Sequence, residues 1–261
     1  MNILKELIED IESDKEIANS FIPKDELTLD IFDKEGSSYR LKDEVRNKLL
    51  NVSDEFLNFL DVDFFVHDIV LTGSLSNFNW SKYSDVDLHI LMDLDELSSS
   101  NTDSVALHGI IKNFFDSKKN LWNSNTDIKI KGYEVELYVQ DVDEPHISSG
   151  VYSILNNEWV VEPKKLESAF ELDKDLLISK SEVFMKQIDD LHQRSEKGED
   201  VTKSVDDLKN KIKKYRQSGL EGGGEYSYEN LVFKLLRRNG YIERLLDIKG
   251  TIRDKKLSLP Q

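Results

Sequence analysis

Hydrophobic positions along the chain follow two periods, and the change between them divides it. Residues 2–20 space Ile3, Leu4, Leu7, Ile8, Ile11 and Ile17 as one face of a helix, which Pro23 ends. "ELTLDIFD" then alternates as a strand or extended segment, and "KEGSS" turns it. From Lys42 to Leu60 the residues Val45, Leu49, Leu50, Phe56, Leu57 and Leu60 return at helical spacing. "DIVLTGS" reads as a short buried strand ending in a tight turn, and "SDVDLHILMDL" as a second strand. Residues 103–119 predict an amphipathic helix with Val105, Leu107, Ile110, Ile111, Phe114 and Phe115 inward. "DIKIKGYEVELYVQ" gives one or two strands broken at Gly132, and "VYSILNNEWVVE" a hairpin turning at Asn156-Asn157.

After Pro163 the strand period disappears. Residues 164–194 and 201–217 read as long helices, "GLEGGGEYS" as a flexible hinge, and Ser227 as the cap of a further helix, "YENLVFKLLRRNGYIERLL", before a loose tail. The expected fold class is therefore α+β: a mixed sheet-and-helix domain over 1–162, followed by a helical domain over 163–261. No internal repeat is visible.

Composition narrows the picture. The chain has 261 residues, 38% hydrophobic and 33% charged, with four prolines and no low-complexity tract, which is a soluble globular profile. It contains no cysteine, so disulfides and thiolate metal sites are excluded, and a reducing cytoplasm is the expected compartment. "MNILKELIEDIESDKEIANS" is too acidic and interrupted for a signal peptide, and no apolar run approaches membrane-spanning length. The net charge of -16 argues against a protein that coats nucleic acid. The charge is uneven, however: residues 203–261 carry 14 Lys and Arg against 8 Asp and Glu.

Candidate chemistry gathers in "TGSLSNFNWSKYSDVDLHI", residues 72–90. Alternate residues of a strand share a face, so Asp85, Asp87 and His89 point one way and Val86, Leu88 and Ile90 the other. Two carboxylates side by side repel unless a cation lies between them, and a hard divalent ion such as Mg²⁺ takes oxygen ligands of this kind. Upstream, Gly73 permits a sharp turn. If "SLSNF" opens a helix, its free amide groups and the Ser74 hydroxyl hold a phosphate. Taken alone, Asp-x-Asp is more readily read as a solvated strand face.

Together these residues resemble the signature of the DNA polymerase β-like nucleotidyltransferase superfamily: "TGS", nine residues, then "SDVDLHI". The resemblance implies a third carboxylate between apolar residues on a later strand. "YEVELYV" supplies Glu136, with Glu134 on the same face as the reserve. It also implies metal-dependent nucleotidyl transfer. Asp85, Asp87 and Glu136 would hold Mg²⁺ or Mn²⁺ ions, Gly73 and Ser74 would position the phosphates of a nucleoside triphosphate, and pyrophosphate would leave. Many members carry a glycine where Phe78 stands in "GSLSNFNW", so the loop is bulkier here. The stretch is also similar to nucleotidyltransferase-fold proteins encoded by bacteriophages, which implies host cytoplasm and names no substrate. The match covers about residues 65–140.

The acceptor is left open among an RNA or DNA end, a small molecule and a protein, and nothing selects ATP over the other triphosphates. The alternative is a catalytically silent nucleotide-binding, regulatory or structural phage protein that keeps the fold.

Other residues carry weaker signals. His89 is more readily a hydrogen-bonded strand histidine than a phosphate contact. Phe78 and Trp80 read equally as base-stacking groups or loop anchors, and His146 as a turn residue near the site. In the helical domain Lys209, Lys213 and Arg216 form one stripe. Helical modules of the superfamily often help bind triphosphate or acceptor, which would place Lys213 and Arg216, or Arg237, Arg238 and Arg244, on phosphates. A solvated helix face is the plainer reading. "GLEGGGE" lacks the strand and the Lys-Ser/Thr of a phosphate loop.

Overall fold

The computed structural model describes residues 12–259, apart from 63, 95, 97–103, 145–147 and 167–169. It is α+β, and it divides into two compact units.

The first unit spans residues 23–169. A small hairpin, β1 (Phe32–Glu35) and β2 (Ser38–Leu41), turns through Gly36 at φ +66°. Helix α2 (Asp43–Leu60) follows; the label α1 is kept for helical residues 12–19. Next come β3 (Asp68–Thr72), β4 (Val86–Met92), helix α3 (Ser104–Asn125), β5 (Lys129–Ile130), β6 (Tyr133–Asp141), β7 (Val151–Ser153) and β8 (Glu158–Val161). Six of these strands form one sheet in the order β5-β6-β4-β3-β7-β8. Only β4 and β6 pair in parallel, which the α3 crossover permits, and the other neighbours are antiparallel. The expected break at Gly132 is a turn through Lys131 and Gly132, at φ +54° and +89°.

Strand alternation decides which sheet face is packed. Val86, Leu88 and Ile90 of β4 and Val135 and Leu137 of β6 share a core with Val45, Leu49, Phe56 and Leu60 of α2 and Phe115 of α3. Full burial of one such side chain contributes roughly 1.5–3 kcal/mol. On the other face Asp87, His89, Glu136 and Tyr138 remain half-exposed. The packing of α3 differs from expectation. Phe115 is buried, but Ile110 and Phe114 lie outward, because the helix meets the sheet along a narrower stripe than its apolar residues occupy.

The second unit combines residues 12–22 with residues from 170 onward. It holds α1, α4 (Lys174–Glu196), α5 (Thr202–Gly223), a short turn of 3₁₀-helix over Gly224–Tyr226, α6 (Tyr228–Arg238) and α7 (Tyr241–Leu257). The expected division at residue 162 placed the N-terminal residues with the sheet. Here they join the helices: the Arg238 guanidinium covers the Phe21 ring at 4.6 Å and donates to Ser20, and Asn239 donates to Asp14.

Four further readings change. The helix expected from 164 begins at Lys174, capped by the Asp173 carboxylate. The glycine-rich "hinge" is largely helix, since α5 continues to Gly223. The helix capped by Ser227 breaks in two at Gly240, at φ +72°. The loose tail is helical to Leu257. Among the described residues, no helix is long and apolar enough to cross a membrane.

Candidate metal centre

Parallel pairing of β4 with β6 sets Asp87 directly beside Glu136. Asp85, just before β4, completes a trio whose ligand oxygens all lie within 4.8 Å of one another. The three residues are half-buried, and they offer only oxygen donors, the set a hard divalent cation takes. Glu134, two residues before Glu136, goes elsewhere. It is exposed at the sheet edge, 3.5 Å from the ammonium of Lys129, which also binds Asp127.

Gly73 follows β3 and closes over this trio. Its φ is +75°, a conformation that favours glycine. Contact is the stronger constraint: a Cβ there would lie 1.8 Å from Asp87 Oδ2. Gly73 is therefore the space in which the Asp87 carboxylate sits. No helix follows it, and residues 73–79 are successive turns instead. The Ser74 hydroxyl donates to Ser84 Oγ at 2.7 Å, so it braces the loop across its base. Among the described residues the amide groups of Ser74, Leu75 and Ser76 meet no protein acceptor; Ser74 is half-buried, whereas Leu75 and Ser76 are 0% exposed.

The rest of the loop is interior. Ser76, 0% exposed, donates to the Gly73 and Gly150 carbonyls, and the Asn77 amide donates to Ser149. Phe78, where the superfamily pattern has glycine, is 6% exposed; its carbonyl accepts from Lys24 and its ring lies under Lys165. The Trp80 indole donates to the Glu26 carbonyl at 2.8 Å. Both aromatics anchor the loop and are not presented for stacking. Gly150 had no sequence signal. A Cβ on it would meet the Ser76 carbonyl oxygen at 2.0 Å, so the 148–150 segment buttresses the loop from behind.

No protein-family model, curated protein or solved structure matches this chain. The site is therefore read from its own geometry.

Two rungs further along the ladder, on the same face, His89 lies beside Tyr138. Their rings stack at 4.7 Å, and His89 Nδ1 pairs with Gln140 Oε1 at 2.7 Å. The Tyr138 hydroxyl donates to Glu136 Oε2. Burial, then the Glu136 carboxylate, push that hydroxyl far above the usual tyrosine range, so it keeps its proton and acts as donor. Tyr138 was the residue missed in the sequence. Its signal is its place two after Glu136 in "YEVELYV", on the same strand face.

The remaining candidates disperse. His146 lies outside the described residues. Lys209 and Lys213 are exposed, whereas Arg216 turns into the helical unit, donating to Asn230 Oδ1 at 3.1 Å and packing over Phe233 at 4.2 Å. Arg244 pairs with Asp189 at 2.6 Å. A second group, His67, Asp93 and Glu96, brings its ligand atoms equally close, but His67 and Glu96 are exposed.

Proposed function

We propose that this chain is a metal-dependent nucleotidyltransferase that moves a nucleoside monophosphate from a triphosphate to a hydroxyl acceptor and releases pyrophosphate. The observation that carries the reading is the convergence of Asp85, Asp87 and Glu136, with Gly73 moulded to the Asp87 carboxylate. A divalent cation, Mg²⁺ or Mn²⁺, held by these three residues supplies charge neutralisation for the triphosphate and eases ionisation of the acceptor hydroxyl.

The chain's own residues account for the remainder. Of the turn's unpaired amides, that of half-buried Ser74 is the donor assigned to a phosphate oxygen, whereas Leu75 and Ser76 are 0% exposed. Ser74, locked to Ser84, keeps the turn in register with Asp87. Tyr138 holds one oxygen of Glu136 and leaves the other for its ligand. In the reaction the acceptor oxygen bonds to the α-phosphorus, the α–β bridging bond breaks, pyrophosphate carries away the electron pair, and the acceptor proton passes to a carboxylate of the trio.

Thermal unfolding with each of the four nucleoside triphosphates, with and without Mg²⁺ or Mn²⁺, tests the reading first. Stabilisation that requires both nucleotide and metal is expected, and it should disappear in Glu136→Ala. Incubation with radiolabelled triphosphate and RNA ends, DNA ends, small alcohols or protein then identifies the acceptor. No metal-dependent stabilisation under any condition leaves a silent or structural protein as the answer.

A further inference from the structure

Strand β6 is paired along its length on one side only. Toward β4 its rungs run from Val135 to Asp141, but on the opposite edge β5 covers just Tyr133 and Glu134. The Val135 amide then donates to the Ile128 carbonyl at 2.9 Å, and there the second neighbour ends. Alternate residues of a strand turn their main-chain groups to opposite edges, so Leu137 points its N–H and C=O, like those of Val135, away from β4. Leu137 is 0% exposed, and buried main-chain groups need partners.

The partner comes from α3. Asn123 donates from Nδ2 to the Leu137 carbonyl at 3.0 Å, and its Oδ1 accepts from the Leu137 amide at 3.1 Å. A side-chain amide offers a donor and an acceptor side by side, as a peptide unit does, so Asn123 stands in for one residue of a missing strand. One turn earlier on the same side of the helix, the Lys119 ammonium lies 5.0 Å from the centre of the Tyr138 ring. The end of α3 therefore grips the two residues that follow Glu136, Leu137 by its main chain and Tyr138 by its ring. Satisfying a buried main chain would explain such bonds anywhere on β6. They fall instead beside the one rung on which Glu136 faces Asp87.

We propose that Asn123 is a positioning residue for Glu136. By pairing with Leu137 it fixes the tilt of β6 and holds the third carboxylate at the separation a divalent cation needs. The rungs to β4 set the register of β6, but a strand bonded along one edge can still pivot about that edge, and a bond pair on the other edge opposes the pivot. Small displacements matter because Mg²⁺ demands near-ideal geometry with oxygens at about 2.0–2.1 Å. Asn123 touches neither cation nor substrate and acts through the main chain of β6. Its role rests on the cation reading of Asp85, Asp87 and Glu136.

The test uses the full chain and Mn²⁺ alone. Calorimetry compares the unmodified protein with Asn123→Ala, which removes both bonds and keeps a good helix former, and with Phe115→Leu, which loosens the core beneath the same helix without touching the edge of β6. Hydrogen exchange at the Leu137 amide, in metal-free buffer, reads the pairing itself. Asn123→Ala should weaken Mn²⁺ binding about tenfold or more and speed exchange at Leu137. Phe115→Leu should lower the thermal midpoint and leave Mn²⁺ affinity unchanged. Should Asn123→Ala not fold, Asn123→Gln takes its place, since the longer arm cannot meet both Leu137 groups in the same geometry, and the same loss is expected. A folded Asn123 variant with the unmodified affinity, or with unchanged exchange at Leu137, overturns the positioning role. Equal weakening by Phe115→Leu overturns it too, by tracing the effect to stability. Mn²⁺ binding by the unmodified chain no stronger than by Glu136→Gln overturns the cation reading and the role with it. Binding that Glu136→Gln abolishes and Asn123→Ala keeps overturns the role alone.

Discussion

Glu136 and Glu134 differ by one pleat repeat and share a strand face, yet only Glu136 meets the aspartates. Glu136→Gln should therefore remove the stabilisation that Mn²⁺ gives in thermal unfolding, while Glu134→Gln retains it. A matching loss in both variants would mean that the response reports general acidity. Tyr138→Phe deletes only the donor to Glu136 Oε2. Removing a partner of this kind weakens metal binding by about 10–100-fold. Calorimetry of Mn²⁺ should show that drop, with unfolding in metal-free buffer nearly unmoved. Gly73→Ala places a carbon 1.8 Å from Asp87 Oδ2 on a left-handed backbone. It should cost about 1–3 kcal/mol in chemical denaturation and abolish the Mn²⁺ response together.

At the scale of elements, the glycines of α5 separate two roles that sequence alone merges. Gly219 is helical and jammed against Ser227 and Glu229, whereas Gly222 is helical with open space around its Cα. Alanine is the better helix former by about 1 kcal/mol. Gly222→Ala should therefore raise the denaturation midpoint, and Gly219→Ala should lower it despite the same intrinsic gain. Equal effects would mean that Gly219 is not at a close approach. The pair also shows where legibility ended. Gly222, Gly223 and Gly224 in a row look like a break because glycines are weak helix formers, and nothing local reveals that Ser227 and Glu229 pack against Gly219 just before them. Strand parity, by contrast, is local. It placed Asp85 and Asp87 on one face, and the apolar flanks selected Glu136 before any pairing was visible. Parity needs a partner strand to become a site, and the register of β4 against β6 is what joined them. Phe78 and Trp80 were ambiguous because an aromatic in a loop looks the same whether its ring is covered or bare. The Trp80 bond to Glu26 resolves that, across 54 residues of chain. Arg216 was misplaced for the same reason: helical spacing aligned it with Lys209 and Lys213, and only α6 draws it inward.

The whole molecule carries a net charge of -16, unevenly spread: residues 203–261 hold 14 Lys and Arg against 8 Asp and Glu, and Lys234, Arg237 and Arg238 crowd one side of α6. That crowding has a stability consequence that can be read against pH. Lys234 titrates near 8 in the folded chain against an ordinary lysine value of 10.5. Between those values the unfolded chain binds more protons at this residue than the folded one, so stability rises with pH. Below about 8 the lysine is charged in both states, and the folded chain bears the full cost of a crowded, partly dehydrated ammonium. Other groups act outside this window. Tyr226, pushed up to about 12 mainly by burial, opposes the trend only as unfolded tyrosine begins to ionise near 10. Asp200, held near 2 by Lys256 and Thr202, matters only in acid, where its contribution is present above the ordinary aspartate value and lost as pH falls through 2. Urea unfolding followed through the helical signal should therefore show stability climbing from pH 8 to pH 10. Lys234→Met should be more stable than the unmodified chain at pH 7 and flat across the same interval. A mutant that keeps the climb would place the titrating group elsewhere, and one less stable at pH 7 would mean that the ammonium is already neutralised by its surroundings.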